Sequence, residues 1–214
     1  MPAYDESRLT IVDHPLVQHK MSILRSKDTS VKQFRELVRE LATIEAVEAT
    51  RDLPLEDVTV ETPLETMVGK QLAGRHITIV PILRAGQGMV EGVLDLIPTA
   101  YVAHIGLQRN PETHLPEFYY QKYPVNMDER TCLLVDPMLA TGGSQVVAIK
   151  FLREQGGKDL RILTLVSCPE GISAVLQSDP GVRLYTCAVD RQLNSHAYIL
   201  PGLGDAGDRI YGTN

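Results

Sequence analysis

The stretch Leu133–Val147, LLVDPMLATGGSQVV, decides how the rest of the chain is read. An apolar run, TCLLVD (131–136), ends in the carboxylate of Asp136, and a short linker follows. Thr141-Gly142-Gly143-Ser144 then opens SQVVAIKFLREQ (144–155), whose apolar residues recur at three and four. A short apolar run reads as a buried strand and the three/four spacing as a helix. The stretch is therefore a strand, a turn of small residues and a helix.

The same rhythm extends in both directions. HITIVPIL (76–83), AYVAHIGL (100–107), DLRILTLVS (159–167) and VRLYTCAVD (182–190) read as strands. GMVEGVLDL (88–96) and EGISAVLQS (170–178) read as helices between them. Regular alternation with near-continuous apolar strands predicts an α/β fold, a mostly parallel sheet covered by helices on both faces. Upstream, Val31, Phe34, Leu37, Val38, Leu41, Ile44 and Val47 follow helical spacing, and Ser30 and Gln33 have the spacing of a capping box. Residues 1–60 are thus expected to form a helical arm. No repeat or long linker divides the chain, so 1–214 reads as one domain.

Two segments break the rhythm. QRNPETHLPEFYYQKYPVNMDER (108–130) is too long for an ordinary connection and reads as a functional flap or an interaction arm. The tail HAYILPGLGDAGDRIYGTN (196–214) is glycine-rich, yet Tyr198, Ile199, Leu200, Ile210 and Tyr211 suit an anchored segment.

Composition narrows the function. The 214 residues are 43% hydrophobic, enough for one sizeable core, and carry a net charge of −6. That balance disfavours general binding to nucleic acid or anionic membrane, so a polyanion must be met by a few placed Arg and Lys residues. No apolar run reaches a membrane span, and the start lacks a signal-peptide layout. Cys132, Cys168 and Cys187 are odd in number and widely spaced, as expected of reduced, buried thiols in the cytoplasm.

In an open parallel sheet, ligands bind beyond the carboxyl ends of the strands. There, Asp136 can accept bonds from sugar hydroxyls. Thr141–Ser144 offers backbone N–H groups and hydroxyls at a helix N-terminus, where glycine lets an anion approach. Carboxylate plus phosphate cradle describes a sugar-phosphate site; a glycine-rich turn with a purely structural cap is the alternative. PILRAGQGM (81–89) puts Arg84 straight after a strand among small residues, so its fork can reach phosphate oxygens. Arg109 is a second candidate. A nucleotide P-loop fails because no Lys follows the glycines. GLGDAG (202–207) has dinucleotide-fingerprint letters but too little chain after it, and GQGMVEG (86–92) misplaces its third glycine.

Taken together, these stretches resemble the type I phosphoribosyltransferases, in the form of the uracil phosphoribosyltransferase family. VDPMLATGGS is similar to the family's phosphoribosyl-pyrophosphate (PRPP) loop, PILRAGQGM to its arginine turn, and YILPGLGDAGDRIYGT to its C-terminal base-recognition segment. HPLVQHKMSILR, VEATRDLP and ETP agree with its N-terminal arm. The match spans nearly the whole chain. It implies transfer of phosphoribose from PRPP to uracil, giving UMP and pyrophosphate. It also implies a C-terminal hood at about 191–214.

Carried over, the loop Asp136, Pro137, Met138, Leu139, Ala140, Thr141, Gly142, Gly143 and Ser144 would hold PRPP, with Asp136 on the ribose hydroxyls. Arg84 and Arg109 would meet the pyrophosphate. Ile199, Gly204, Asp205 and Ala206 would read uracil, largely through backbone groups, with Asp205 also near PRPP. Asp136, Arg84 and Asp205 are thus the expected catalytic residues. The second loop acid of many relatives is Pro137 here. Mg²⁺ would therefore arrive on PRPP without a dedicated protein ligand cluster. A homo-oligomer (dimer or tetramer) and GTP as an activator are further expectations, which the residues themselves leave open.

Three positions depart from the family pattern: Gln87, Gln108 and the DRQLNSH stretch (190–196) with Arg191 and Gln192. The first two flank the proposed pyrophosphate ligands and the third borders the base segment. A relative acting on a purine or orotate is one rival reading. An RNA-binding regulator on the same fold is another, disfavoured by the acidic chain without a basic cluster.

Overall fold

The computed structural model describes residues 5–74, 76–109 and 116–213. The chain enters through a short strand, β1 (Leu9–Ile11), and helix α1 (Pro15–Arg25), which has Pro15 at its first turn. Helix α2 (Val31–Ala49) is capped by Ser30, whose Oγ accepts the Gln33 N–H at 3.3 Å. Its predicted stripe is buried at Phe34, Leu37, Val38 and Leu41, whereas Val31 and Val47 stay exposed. Ala42, Ala46 and Ala49 let a neighbour pack closely on the same helix.

The helical arm ends earlier than expected. Strands β2 (Leu55–Glu61) and β3 (Thr66–Leu72) form a largely exposed antiparallel hairpin. Pro54 and Pro63 bar a helix from continuing, and LEDVTVE partly alternates apolar and polar residues, as a strand does.

The central sheet follows. It takes in β4 (His76–Leu83), then helix α3 (Gln87–Leu96), β5 (Tyr101–Val102), β6 (His104–Arg109) and β7 (Pro116–Lys122). After β8 (Arg130–Val135) come β9 (Met138–Leu139), helix α4 (Gly143–Glu154), β10 (Asp159–Thr164) and β11 (Val166–Ser167). Helix α5 (Pro169–Ser178), β12 (Arg183–Thr186), β13 (Gln192–Leu193), β14 (Ile199–Leu200) and helix α6 (Ala206–Tyr211) complete the described chain. The order is β1-β12-β10-β8-β4-β6-β7, with β5 beside β4. Only the β6–β7 pair in this sheet is antiparallel. The long 108–130 segment thus contributes a hairpin strand at the sheet edge; its residues 110–115 lie outside the described ones.

Both faces of the sheet are buried, which is why its strands read as continuous apolar runs. Along β8, Leu133 and Val135 face the core shared with α1, α2 and α3, while Cys132 and Leu134 face the one shared with α4 and α5. The crossover from β4 leads to β6 on one side, and the crossover from β8 leads to β10 on the other. The chain therefore changes direction between β4 and β8, and the crevice at their carboxyl ends is where such sheets bind ligands. Arg84 and Asp136 are the residues that leave these two strands.

Candidate active site

Strand β4 pairs with β8 as far as Pro81 opposite Val135, the last residue of β8, and its final residues Ile82 and Leu83 pair with β6. The turns that follow are packed tightly. A Cβ on Gly86 would lie 2.3 Å from the Val135 carbonyl oxygen, so only glycine permits this approach. Arg84 projects from its turn with a side chain that is 60% exposed. Its guanidinium lies 3.4 Å from Asp208 Oδ1, and the Tyr211 hydroxyl donates to its carbonyl at 2.9 Å.

Asp136 is partly buried at the end of β8. Gln145, from the first turn of α4, donates to its Oδ2 at 2.8 Å and also to the Met138 carbonyl at 3.1 Å. Burial pushes the Asp136 carboxyl up to about 7, against the opposing pull of the Met138 N–H.

The loop beyond Asp136 is braced from behind. β9 pairs with β11, and the Pro137 carbonyl accepts N–H groups from Leu165 and Val166, each at 3.0 Å. The buried Cys168 thiol, raised to about 11 by desolvation, stays protonated at neutral pH and donates to the Ala140 carbonyl at 3.1 Å. Pro137 and Leu139 are buried, and Leu139 sits in the core. Gly142, the N-cap of α4, lies in the left-handed region (φ 81°) and has no side chain to bond the helix. Gly143 and Ser144 are partly exposed, and the first turn of α4 carries N–H groups and partial positive charge suited to an anion.

The hood supplies the third wall. Asp205 caps α6 by accepting the Asp208 N–H at 2.9 Å. Gly202 and Gly204 both have positive φ (65° and 83°), and the Leu200–Pro201 peptide is cis. A cavity of about 240 Å³ joins the three parts. Asp136, Met138 and Ala140 line it from the loop after β8, Ala85 from the arginine turn, and Ile199, Gly204, Asp205 and Ala206 from the C-terminal segment. Segments as far apart in sequence as Ala85 and Gly207 thus border one space.

The comparisons with known proteins point the same way. A family model described as uracil phosphoribosyltransferase matches residues 11–213. The chain belongs to the uracil phosphoribosyltransferase family. Relatives with that name from Symbiobacterium thermophilum and Anoxybacillus flavithermus are each 54% identical, covering 97% of this chain and 99% of the relative. A solved structure of an Aquifex aeolicus protein superposes with a TM-score of 0.91 at 34% identity, covering 96% of this chain and 99% of that one. A Bacillus anthracis hypoxanthine-guanine phosphoribosyltransferase shares the fold at a TM-score of 0.51 and 14% identity, covering 75% of this chain and 80% of that one.

Within this family framework some expected residues fall elsewhere. Thr141 is exposed and its Oγ1 accepts the Gly143 N–H at 3.4 Å. Arg109 ends β6 at the same end of the sheet as the cavity, with its side chain, like that of Gln108, outside the described residues. Gln87 lines a different cavity, of about 400 Å³, with Arg35 and Arg39 of α2. Arg191 is exposed, and Gln192 pairs with Leu200 across β13 and β14.

Ala197, Tyr198 and Gly207 also line the cavity but were not expected there. Nothing in the letters NSHAY marks Ala197, whose φ of 61° comes from the tight turn that Asn194 organises. Gln145 carried a usable signal: it sits in the first turn of α4, at a buried position otherwise fit for an apolar residue.

Proposed function

We propose that the chain transfers the 5-phosphoribosyl group from PRPP to uracil, releasing diphosphate and UMP, in the cavity between the Asp136 loop and the hood. The observation that carries this reading is the joint lining of one space by Asp136, Met138 and Ala140, on the loop that leads into α4, and by the backbone rim around Gly204. The 5-phosphate takes the N-terminus of α4 at Thr141–Ser144, where N–H groups and the helix dipole favour an anion. Asp136 accepts the ribose hydroxyls. Arg84 and Arg109 take the diphosphate, and the segment from Ile199 to Ala206 reads the base through backbone groups.

Cleavage leaves positive charge on the ribose carbon and negative charge on the departing diphosphate. Placed cations beside the leaving group stabilise that separation, so the protein works by positioning and electrostatics. Uracil has an acidic ring N–H, and donors at its carbonyls favour the anion without a strong general base. Mg²⁺, when bound on PRPP, supplies further charge at the diphosphate oxygens. Asp136 and Asp205, the two carboxylates bordering the cavity, suit a hard cation and its waters. The β6–β7 hairpin is proposed as the cover that excludes water, an arm to a second subunit, or both.

The reading extends to a homo-oligomer, supported by Leu55, Leu64, Met67 and Val68 exposed on the β2–β3 hairpin. A cytoplasmic location rests on three buried, free cysteines. GTP activation rests on the family resemblance and is tested by adding GTP to the rate assay. Among the described residues no helix is long and apolar enough to cross a membrane.

The test is direct: protein, PRPP and Mg²⁺ are mixed with each free base and the nucleotide product is identified. Uracil is expected to exceed cytosine widely in kcat/KM, because a site built on polar edges rejects analogues that leave them unpaired. Comparable values for the two bases would sink the reading.

A further inference from the structure

Arg25, the last residue of α1, and Asp190, beyond β12, lie outside the cavity lining and form a partly buried clamp. Arg25 Nη1 donates to Asp190 Oδ2 at 2.7 Å and Nη2 to Oδ1 at 2.8 Å, a two-pronged pair. Asp190 is only 7% exposed. Both members also hold one peptide residue of the hood. Gly202 N–H donates to Asp190 Oδ2 at 2.8 Å, and Arg25 Nη1 donates to the Gly202 carbonyl at 2.8 Å. The two backbone polar groups of Gly202 are thus met by the two ends of one ion pair.

The position of Gly202 gives the clamp its meaning. It lies three residues after Ile199 and two before Gly204, both of which border the cavity. Gly202 has a φ of 65°, and a Cβ there would fall 2.2 Å from the Ile199 carbonyl, so the turn has no slack. The next carbonyl, that of Leu203, accepts from Arg209 Nη1 at 2.7 Å, while Arg209 Nη2 reaches the Ser26 carbonyl at 2.5 Å. Two arginines therefore tie consecutive hood carbonyls to the corner between α1 and α2.

We infer that the Arg25–Asp190 pair positions the hood for base recognition: it fixes the Gly202 peptide and with it the Ile199–Gly204 rim that reads the base. This rests on the reading of the cavity as a uracil site. The pair touches neither substrate. It acts through the turn, because backbone groups select a base only if they are held at fixed positions. Arg25 and Asp190 give the N-terminal arm a part in specificity that its helices alone do not explain.

The test is steady-state kinetics of the full-length protein and of Asp190→Asn, Arg25→Lys and the double variant, with uracil and cytosine as competing bases. Asp190→Asn keeps the shape but places a neutral amide beside the guanidinium. Losing charge-assisted bonds at this depth is expected to raise KM for uracil about tenfold or more. KM for PRPP should change by less than about twofold, since the Asp136 loop is held by backbone bonds from Leu165 and Val166 and not by the side chains of the clamp. The uracil-to-cytosine ratio of kcat/KM should fall with the rise in uracil KM. Arg25→Lys should fall between parent and Asp190→Asn, and the double variant should be little worse than Asp190→Asn alone.

The base ratio does not depend on how much enzyme is folded, so a variant of low yield still reports. Unchanged uracil KM and base ratio in active variants would overturn the inference, as would an equal rise in both KM values. A parent protein that makes no UMP would overturn the reading of the cavity, and this inference with it.

Discussion

At the scale of single residues, Asp136 sets a stability cost against a function. Its carboxyl is raised to about 7 by burial, whereas in the unfolded chain it titrates near ~3.9. Between those values the folded chain holds a proton that the unfolded chain has released. The parent therefore loses stability as pH rises from about 4 to about 7, with no further loss from this group above that. Asp136→Asn abolishes the titration. The variant is expected to melt above the parent at pH 8 and level with it near pH 4. Its kcat/KM for PRPP should be about tenfold lower or worse, because charge-assisted bonds to the ribose hydroxyls are gone. The parent profile of kcat/KM should rise through about pH 7 and that of the variant should lack this inflection. Unchanged kinetics would reassign Asp136 to a structural cap. Ala197 is a second residue under strain, with a φ of 61° that costs an L residue roughly 1–2 kcal/mol. Ala197→Gly recovers that, less about 0.5–1 kcal/mol of backbone entropy, so a gain of up to about 1.5 kcal/mol is expected in denaturant unfolding. A loss would mean that the 194–198 turn is not held in this conformation.

At the scale of elements, the strand–turn–helix unit β8–α4 was legible because each of its parts has a local signature. The apolar run, the terminal carboxylate and the small residues all act within a few positions of one another. The β2–β3 hairpin was not legible, since its partial alternation sat inside a segment already read as the end of a helical arm. The division of DLRILTLVS into β10 and β11 was equally hidden. It follows from Leu165 and Val166 turning to the Pro137 carbonyl, a contact between strands. Even Glu45, fully buried in α2 with Oε1 on the Thr164 N–H, falls at a position where a charged letter suggests solvent. Local chemistry is readable; long-range pairing is not. The turn into α4 offers a test at this scale. Gly142→Ala forces a side chain into φ 81° and puts a Cβ 3.1 Å from the Gly171 carbonyl and from Ala174 Cβ of α5. The left-handed conformation alone costs about 1–2 kcal/mol, so a fall in Tm of roughly 3–8 °C is expected. KM for PRPP should rise more than KM for uracil, as the displaced α4 N-terminus meets the phosphate. Equal changes in both would separate this turn from phosphate binding.

At the scale of the whole molecule, the two ends of the sheet divide the work. The carboxyl ends of β4 and β8 carry the cavity, and the opposite end carries an ion network that joins the arm to the sheet. There Asp159 accepts Arg161 Nη2 at 2.8 Å, Arg183 Nη2 at 2.9 Å and the Thr131 hydroxyl at 2.9 Å. Asp52, just past α2, bonds Arg161 and Arg183 as well, and Arg161 also donates to the Ala49 carbonyl at the end of α2. Burial alone would raise the Asp159 carboxyl, but its bonds to Arg161 and Arg183 outweigh that and hold it at about 2. A carboxyl lowered in the folded state adds stability in full above its unfolded value near ~3.9 and loses it as pH falls through about 2. Asp159→Asn should therefore destabilise the protein at pH 7 by about 1–3 kcal/mol, a figure kept low because Arg161 retains Asp52. The gap between parent and variant should narrow below about pH 4 and close near pH 2. The cavity lies a full strand length away, so kcat and both KM values of the folded variant should match the parent. Thermal melts across pH, with kinetics at pH 7, separate the two roles. A changed KM with an unchanged melt would place Asp159 in communication with the site and end the division between the two ends of the sheet.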